Sequence, residues 1–300
     1  MRSLRRFPDW LRRSLPENSS QKTHAILDKY KLNTVCRAAM CPNSHECHAE
    51  DTATFMILGG TCTRRCGFCA VPNGSGENLR SDEPERVAFA AKELGLRYVV
   101  VTSVTRDDLE DEGAGHYACT VRAVKREIPE SRVEVLTPDF HSREELVRCV
   151  VDAGPEVFNH NLETVERLQR VVRPQANYQC SLKTLEIAKR LAPKRITKSG
   201  LMLGLGETVP EILETGRHLL SVGVSMMTLG QYLQPTLQSL EVQEYVSPEK
   251  FQDLARKLRA MGFEKVLAGA YVRSSYHARE TFSGLGEAQT SGNTETCTGI

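Results

Sequence analysis

Six of the ten cysteines in this 300-residue chain fall between Cys36 and Cys69, where they form two triplets. The second triplet, Cys62, Cys66 and Cys69, has the spacing C-x3-C-x2-C within the segment GGTCTRRCGFCAV. Three thiolates on so short a loop can bind three irons of a 4Fe-4S cluster and leave the fourth iron open to an external ligand. Zinc is the main alternative, although it usually takes four protein ligands and no fourth ligand is evident beside this triplet.

The first triplet, Cys36, Cys41 and Cys47, has the spacing C-x4-C-x5-C. This spacing alone leaves two kinds of site open, because His45 or His48 could complete a zinc site and the thiolates could equally bind an iron–sulfur cluster. In a reducing compartment, grouped thiols are more often metal ligands than disulfides. The remaining cysteines are isolated and are predicted to be buried or incidental thiols: Cys119, Cys149, Cys180 and Cys297.

The composition indicates a globular protein and gives no sign of binding to nucleic acid or membrane. Basic and acidic side chains nearly balance, at 39 and 38, and 40% of the residues are hydrophobic. The longest apolar runs, such as residues 98–101, are far shorter than the roughly 20 residues of a membrane span. Pro8, Asp9 and Trp10 stand where a signal peptide has its apolar stretch, so we predict a cytoplasmic protein. A mitochondrial transit peptide is the alternative, although Asp9 and Glu17 are early acidic residues.

Beyond the cysteines, short β-branched runs alternate with amphipathic stretches, which is typical of βαβ units. Six strands are predicted, at residues 52–58, 97–104, 132–136, 156–162, 196–203 and 226–233. Six helices are predicted between and after them, at residues 84–94, 113–128, 142–153, 178–191, 209–222 and 248–261. The pattern predicts an α/β fold, a partial parallel (β/α)6 barrel of the TIM type, with functional groups at the carboxyl ends of its strands.

The regions flanking this alternation differ from it. Residues 1–51 hold the first triplet and are predicted to form an N-terminal extension packed on a barrel of residues 52–262. Residues 263–282 form a separate C-terminal segment. Residues 283–300 are rich in Gly, Ser and Thr without apolar periodicity, and we predict that this tail is disordered.

The second triplet, with Phe68 before its last cysteine and a predicted strand before its first, resembles the radical S-adenosylmethionine (SAM) superfamily. This resemblance implies that the amino and carboxylate groups of SAM chelate the open iron. Electron transfer from the cluster would then cleave the cofactor and give a 5′-deoxyadenosyl radical. An aromatic side chain at Phe68 could cover the adenine of the cofactor, although this residue is compatible with a zinc site as well. The protein would aim the radical at one C–H bond and exclude water.

The two triplets, about fifteen residues apart, resemble the lipoyl synthase family, and so does the segment RSSY at residues 273–276. The resemblance covers roughly residues 8–280. It implies that Cys36, Cys41 and Cys47 bind an auxiliary 4Fe-4S cluster, with a serine of segment 263–282 as fourth ligand. We assign this role to Ser275, with Ser274 as the alternative. A hydroxyl oxygen binds a soft iron–sulfur site less firmly than a thiolate does, so this corner is the one expected to open.

Polar residues at three predicted strand ends are candidates for binding the cofactor, against the alternative that each group is a solvated loop. Thr102 and Ser103 lie at the end of the second strand, and Asn159, Asn161 and Glu163 lie at the end of the fourth. The fifth strand is followed by the segment GLGET, which contains Gly204, Gly206 and Glu207. Its glycines could admit a close backbone approach to the cofactor, while Glu207 accepts a hydrogen bond. The roles of Lys198, Gln231 and Tyr232 are left open.

The family resemblance implies that two sulfur atoms are inserted at C6 and C8 of an octanoyl chain on a lysine of a lipoyl-carrier domain. The auxiliary cluster would donate the sulfur, so the implied cofactors are two 4Fe-4S clusters and SAM. The implied carriers are the E2 component of 2-oxoacid dehydrogenases or the H protein of glycine cleavage. An electron donor such as ferredoxin or flavodoxin and iron–sulfur carrier proteins would also be partners.

Two residues depart from the family's pattern without removing a cluster ligand. His48 stands where a tryptophan is common, and Gly60 where an acidic or polar residue is frequent. Both departures put the surroundings or the stability of the auxiliary site in question. The alternatives to this function are a two-cluster radical enzyme that inserts sulfur into another substrate and, from a different class, a zinc-dependent binding module.

Overall fold

An eight-stranded sheet, in which the strand order follows the chain, forms the centre of the protein. The computed structural model describes residues 7–12, 21–49 and 53–275. The strands are β1 (Asn33–Thr34), β2 (Thr54–Ile57), β3 (Tyr98–Ser103), β4 (Arg132–Leu136), β5 (Val157–Asn159), β6 (Ile196–Leu203), β7 (Met226–Gln231) and β8 (Lys265–Gly269). Strands β2 to β8 pair in parallel, and β1 pairs with β2 antiparallel. Because β1 and β8 are the two edges, the barrel is open.

Helices connect the parallel strands, and shorter helices precede β2. They are α1 (Gln21–Lys29), α2 (Val35–Ala38), α3 (Ser44–Ala49), α4 (Glu83–Glu93), α5 (Ala114–Glu127), α6 (Glu144–Asp152), α7 (Gln169–Val172), α8 (Tyr178–Leu191), α9 (Val209–Ser221) and α10 (Pro248–Met261). Short 3-10 helices span Asp9–Leu11, Phe140–Ser142 and Glu166–Leu168. Among the described helices, none is both long and apolar enough to cross a membrane.

Local signals fix several of these helices. Helix α9 begins with a capping box, in which the N–H of Thr208 donates to the Glu211 carboxylate at 2.8 Å. Helix α10 begins at Pro248 after the hydroxyl of Ser247 caps it, and it ends at Gly262, where φ is +121°. These signals lie within a few residues of each helix end, so they can be read from the sequence.

The prediction of a partial parallel barrel is confirmed, with one more parallel strand than expected. The six predicted strands correspond to β2 to β7, and the predicted C-terminal segment adds β8 beside β7. Strand β8 is a short edge strand with the sequence KVLAG, and only Val266 in it is fully buried. Alanine and glycine are poor strand formers, so this segment carries a weak sequence signal.

The apolar core lies between the sheet and its helices, in two halves. One half packs β2 to β5 against α4, α5 and α6, and the other packs β6 to β8 against α8, α9 and α10. Strand β3 reads YVVVTS and has five buried residues, as expected of a parallel strand covered on both faces.

The structure describes only part of the sequence over which the chain was divided into segments, so this division stays a prediction. The boundary between residues 51 and 52 and the tail at residues 283–300 lie outside the described residues. Within the described part, the C-terminal segment continues from β8 to Ser275.

Candidate active site

A cavity of about 350 Å³ lies where the two cysteine triplets and the C-terminal segment meet. Its wall includes all three cysteines of the first triplet, one of the second, and two serines: Cys36, Cys41, Cys47, Cys69, Ser274 and Ser275. The volume lies within the range of small-molecule sites. Residues far apart in the sequence therefore share one chamber.

The second triplet lies on a loop after β2 that the rest of the protein holds in place. The N–H of Cys62 donates to the Pro72 carbonyl at 2.8 Å, and the N–H of Gly67 donates to the Val172 carbonyl at 2.8 Å. The Cys62 sulfur accepts the N–H of Thr105 at 3.3 Å. These bonds fix both ends of the cysteine segment in the folded protein.

The side chain of Arg64, between the first two cysteines of this loop, is buried and forms ion pairs with two carboxylates. Its guanidinium donates to Asp139 at 2.7 and 2.8 Å and to Asp107 at 2.8 Å through two further N–H groups. Burial would raise the pKa of Asp139, but the hydrogen bonds and charge of Arg64 outweigh it and hold that pKa well below its usual range. The sequence analysis missed Arg64 and Asp139. In the sequence, the only sign of this contact was an arginine between two cysteines of the second triplet.

The cysteine thiols are strongly affected by burial. Burial raises the pKa of Cys66 to about 12, against the charge of Arg173, and raises that of Cys36 to about 11. It also raises the pKa of Cys69. Charge on Cys69 and on Cys62 raises the pKa of Cys66 further. Iron binds the thiolate, so assembly of a cluster here releases protons.

The first triplet is carried by two short helices and the turn between them. Cys36 lies in α2, where the hydroxyl of Thr34 caps the helix, and Cys47 lies in α3. Next to Cys41, the side chain of Asn43 donates to the Tyr271 carbonyl at 2.7 Å. The loop of the first triplet therefore packs against the C-terminal segment.

The two serines of the C-terminal segment differ in their contacts. The amide of Asn161 donates to the Ser274 hydroxyl at 2.6 Å, and the Lys198 ammonium donates to the Ser274 carbonyl at 2.5 Å. Ser275 lines the cavity. Its hydroxyl makes no hydrogen bond to the residues that the structure describes, so it is the serine available to a ligand.

Three of the predicted cofactor residues line the cavity: Phe68, Asn161 and Glu163. Glu163 has a left-handed backbone, with φ of +67°, and its carboxylate accepts a hydrogen bond from the Asn161 amide at 3.1 Å. Burial raises the pKa of Glu163, and the charge of Arg173 opposes this effect. Strained backbone of this kind concentrates at functional sites.

Other residues predicted to bind the cofactor lie at strand ends and, within the described part of the chain, do not line this cavity. The hydroxyl of Thr102 donates to the Leu136 carbonyl at 2.9 Å, and the Asn159 amide donates to the Glu134 carboxylate at 3.0 Å. Ser103 ends β3 beside Thr102. The protein itself holds Thr102 and Asn159, and their contact with a cofactor stays a prediction.

The segment GLGET forms a turn closed by its own glutamate. The Glu207 carboxylate accepts the N–H groups of Gly204 at 2.9 Å and Leu205 at 3.0 Å. A Cβ on Gly204 would lie 2.4 Å from the Gln231 amide nitrogen, and φ is +104° at Gly204 and +109° at Gly206. The glycines are thus required by the turn and by its packing. Among the described contacts, Glu207 accepts from these N–H groups and from the Thr164 hydroxyl at 3.4 Å, and none of these residues lines the cavity.

The residues left open by the sequence have defined places. Gln231 and Tyr232 line the cavity. The Gln231 amide is fully engaged with backbone groups, among them the Val246 N–H at 2.8 Å. Tyr232 packs in the apolar cluster that Phe68 joins. Lys198 is buried in the barrel interior.

These residues fit an iron–sulfur enzyme that binds a polar cofactor. Each triplet offers three sulfur donors, a set that suits iron–sulfur clusters. Asn161 lines the cavity. The carbonyl oxygen of its side chain is buried and has no hydrogen-bond partner in the described part of the chain. An unpaired buried acceptor is costly, so this atom is ready to accept a ligand's donor.

Comparison with known proteins places the chain in a family. The model of the Radical SAM superfamily matches residues 56–219, which is more than half of the chain. The lipoyl synthase of Caldanaerobacter subterraneus subsp. tengcongensis is 51% identical over 273 residues, covering 91% of this chain and 96% of that protein. The lipoyl synthase of Methanocella arvoryzae is 51% identical over 278 residues, covering 92% of this chain and 94% of that protein.

Solved structures with low sequence identity share the fold. Methylornithine synthase (PylB) matches with a TM-score of 0.57 and 15% identity, covering 71% of this chain and 62% of that chain. SuiB of Streptococcus suis, bound to S-adenosylmethionine, matches with a TM-score of 0.55 and 11% identity, covering 75% and 53%. At these identities the likeness extends to the fold alone.

The superfamily match supports the binding of SAM and an iron–sulfur cluster. The two lipoyl synthases identify the family within that superfamily. Identity of about half over nearly the whole of both chains is far above what a shared fold requires. The chain is therefore a member of the lipoyl synthase family of radical SAM sulfurtransferases.

Proposed function

We propose that this chain holds two 4Fe-4S clusters and inserts two sulfur atoms, at C6 and C8, into an octanoyl chain on a lysine of a lipoyl-carrier domain. The observation that carries this proposal is the shared cavity, whose wall includes cysteines of both triplets together with Ser275. An enzyme that makes a radical at one cluster and takes sulfur from another needs both at one substrate. Separate sites would not serve this reaction.

When bound, SAM and its cluster supply the 5′-deoxyadenosyl radical, and the auxiliary cluster supplies the sulfur. We assign Cys62, Cys66 and Cys69 to the first cluster. We assign Cys36, Cys41, Cys47 and Ser275 to the second. The free hydroxyl of Ser275 supports its choice over Ser274, whose hydroxyl already accepts the Asn161 amide.

The chain's own residues bind and orient the cofactor in this proposal. Glu163 and Asn161 hold its polar methionyl or ribose groups, since a cationic group would stabilise the buried Glu163 carboxylate. Phe68 and Tyr232 cover the adenine on the apolar side of the cavity. Such a wall also excludes water from the reactive carbon.

The partners follow from the same proposal. The substrate is an octanoylated lipoyl-carrier domain, of the 2-oxoacid dehydrogenase E2 component or the glycine cleavage H protein. A ferredoxin or flavodoxin supplies electrons, and iron–sulfur carrier proteins rebuild the auxiliary cluster. The cytoplasm is the proposed compartment.

Anaerobic reconstitution tests this function. Iron is counted after reconstitution, and the protein is then mixed with SAM, reductant and an octanoyl-lysine peptide. We expect about eight irons per chain, 5′-deoxyadenosine, and a peptide mass that reports two inserted sulfurs. About four irons, with cofactor cleavage but no sulfur insertion, would contradict the two-cluster proposal and leave only the superfamily chemistry.

A further inference from the structure

Lys198 on β6 is a buried cation that contacts the segment carrying the proposed serine ligand. Its ammonium lies 2.8 Å from a Glu134 carboxylate oxygen, and the two side chains are 2% and 1% exposed. The same ammonium donates to the backbone carbonyl of Ser274 at 2.5 Å. A buried cation requires such partners, because burial without them is strongly unfavourable.

Glu134 holds this ammonium in a fixed position. One carboxylate oxygen accepts from Lys198 and from the Asn159 amide at 3.0 Å, and the other accepts from the Tyr98 hydroxyl at 2.7 Å. These side chains come from four neighbouring strands, β3 to β6. The ammonium is therefore tied to the rigid centre of the sheet.

The carbonyl of Ser274 belongs to the same planar peptide unit as the nitrogen and Cα of Ser275. A bond that fixes this oxygen therefore limits where the Ser275 side chain can point. The same segment is also held by Asn43, which lies between Cys41 and Cys47 and donates to the Tyr271 carbonyl at 2.7 Å. Lys198 and Asn43 thus hold the segment between barrel and cysteine loop.

We propose that Lys198 is a positioning residue: through the Ser274 carbonyl it sets the position of the Ser275 hydroxyl relative to Cys36, Cys41 and Cys47. This inference rests on the proposed role of Ser275 as an iron ligand. Among the described hydrogen bonds and ion pairs, Lys198 contacts no residue of the second triplet, so its loss should affect sulfur insertion more than cofactor cleavage.

The test is the double variant Lys198→Met with Glu134→Gln, which removes both buried charges together. The matched control is Thr197→Val, the next residue on β6, whose hydroxyl donates to the Gly223 carbonyl at 2.7 Å. After anaerobic reconstitution, cofactor cleavage, thiolated product and the iron lost to a chelator are measured. Mössbauer spectra report the unique, oxygen-ligated iron of the auxiliary cluster.

We expect the rate of cofactor cleavage in the double variant to stay within about twofold of wild type. The amount of product per cleaved cofactor should fall by about tenfold to a hundredfold, which is the effect of losing a residue that orients a metal ligand. The auxiliary cluster should lose its unique iron to the chelator. Product per cleavage and chelator loss equal to those of Thr197→Val would overturn the proposal. If the double variant does not fold, Lys198→Gln with Glu134→Gln serves the same measurements, because this pair leaves no buried charge unpaired and the shorter side chain at position 198 cannot bond residues 134 and 274 together.

Ser275→Ala, measured in parallel, separates this inference from the proposed function. If Ser275→Ala leaves product per cleavage unchanged, ligation by Ser275 is wrong. If Ser275→Ala loses product while both Lys198 variants match the control, only the positioning role is wrong.

Discussion

The Arg64 guanidinium donates to both carboxylate oxygens of Asp139, although the two residues are 75 positions apart in the chain. Arg64 lies between two cysteines of the second triplet, and Asp139 follows β4. The side chain of Arg64 is 4% exposed and that of Asp139 is 2% exposed. The contact therefore ties the cysteine loop to the carboxyl end of a barrel strand.

Arg64→Lys tests the importance of this contact. Lysine keeps the charge but cannot make the paired, planar hydrogen bonds of a guanidinium. We expect the rate of 5′-deoxyadenosine formation to fall by about tenfold or more, because the cysteine loop loses its fixed position. Arg65→Lys is the matched control, since Arg65 is the exposed neighbour. Equal rates in the two variants would show that the Asp139 contact does not matter for cofactor cleavage.

Substitution of single cysteines separates the two clusters. Cys62→Ala should abolish both cofactor cleavage and sulfur insertion, because it removes a ligand of the cluster that reduces SAM. Cys36→Ala should retain measurable cleavage and form no thiolated product. Both are measured by chromatography of 5′-deoxyadenosine and mass spectrometry of the peptide. Continued sulfur insertion by Cys36→Ala would refute the division of roles.

The serine ligand can be identified with three variants. Ser275→Ala should lose sulfur insertion by about tenfold or more while cofactor cleavage continues. Ser274→Ala should lose less, because it keeps the backbone carbonyl that Lys198 contacts. Ser275→Cys should retain the iron but insert sulfur more slowly, since thiolate holds a soft site more firmly. A larger loss in Ser274→Ala than in Ser275→Ala would reverse the assignment.

His160 should make stability dependent on pH. Burial lowers its pKa from 6.5 to about 4, and its neutral ring bonds the Thr137 carbonyl at 2.8 Å and the Ser181 hydroxyl at 2.9 Å. The unfolded chain therefore binds the proton first as pH falls. The contribution of neutral His160 to the free energy of unfolding is complete above pH 6.5. It is lost as the pH falls towards 4, by about 1.4 kcal/mol per pH unit.

Urea unfolding of wild type and His160→Gln measures this effect. The difference in unfolding free energy between the two proteins should shrink from about pH 7.5 to about pH 5.5, because only wild type loses the histidine contribution. The comparison cancels the carboxylates, which titrate in both proteins. A difference that stays constant over this range would show that His160 has an ordinary pKa.

Gly230 permits the close approach of the C-terminal segment to β7. A Cβ at this position would lie 2.1 Å from the Val272 carbonyl oxygen and 3.2 Å from the Arg273 guanidinium. Gly230→Ala should displace the segment that carries Ser275 and lower sulfur insertion by about tenfold. Gly269→Ala is the control, since its nearest contact would be an ordinary 3.5 Å from the Val272 side chain. Equal product formation by both variants would contradict this prediction.

The sequence by itself determined the cysteine triplets, the RSSY segment and most elements of the barrel. Helices α8 and α10 have the limits that the sequence predicts, and the six predicted strands match β2 to β7. Periodicity, caps and metal-ligand spacing act over a few residues, so they can be read directly along the chain. Strand β8 was missed because a short edge strand with alanine and glycine has a weak signal.

Only the tertiary structure decided which of these residues meet. Lys198 and Ser274 are 76 positions apart, and Asn43 and Tyr271 are 228 apart, yet both pairs are hydrogen bonded. The structure also shows that Glu207 closes its own turn by accepting the N–H groups of Gly204 and Leu205, and its contact with a cofactor stays a prediction. Such contacts depend on the order and register of strands that fold from distant segments, and no local pattern encodes them.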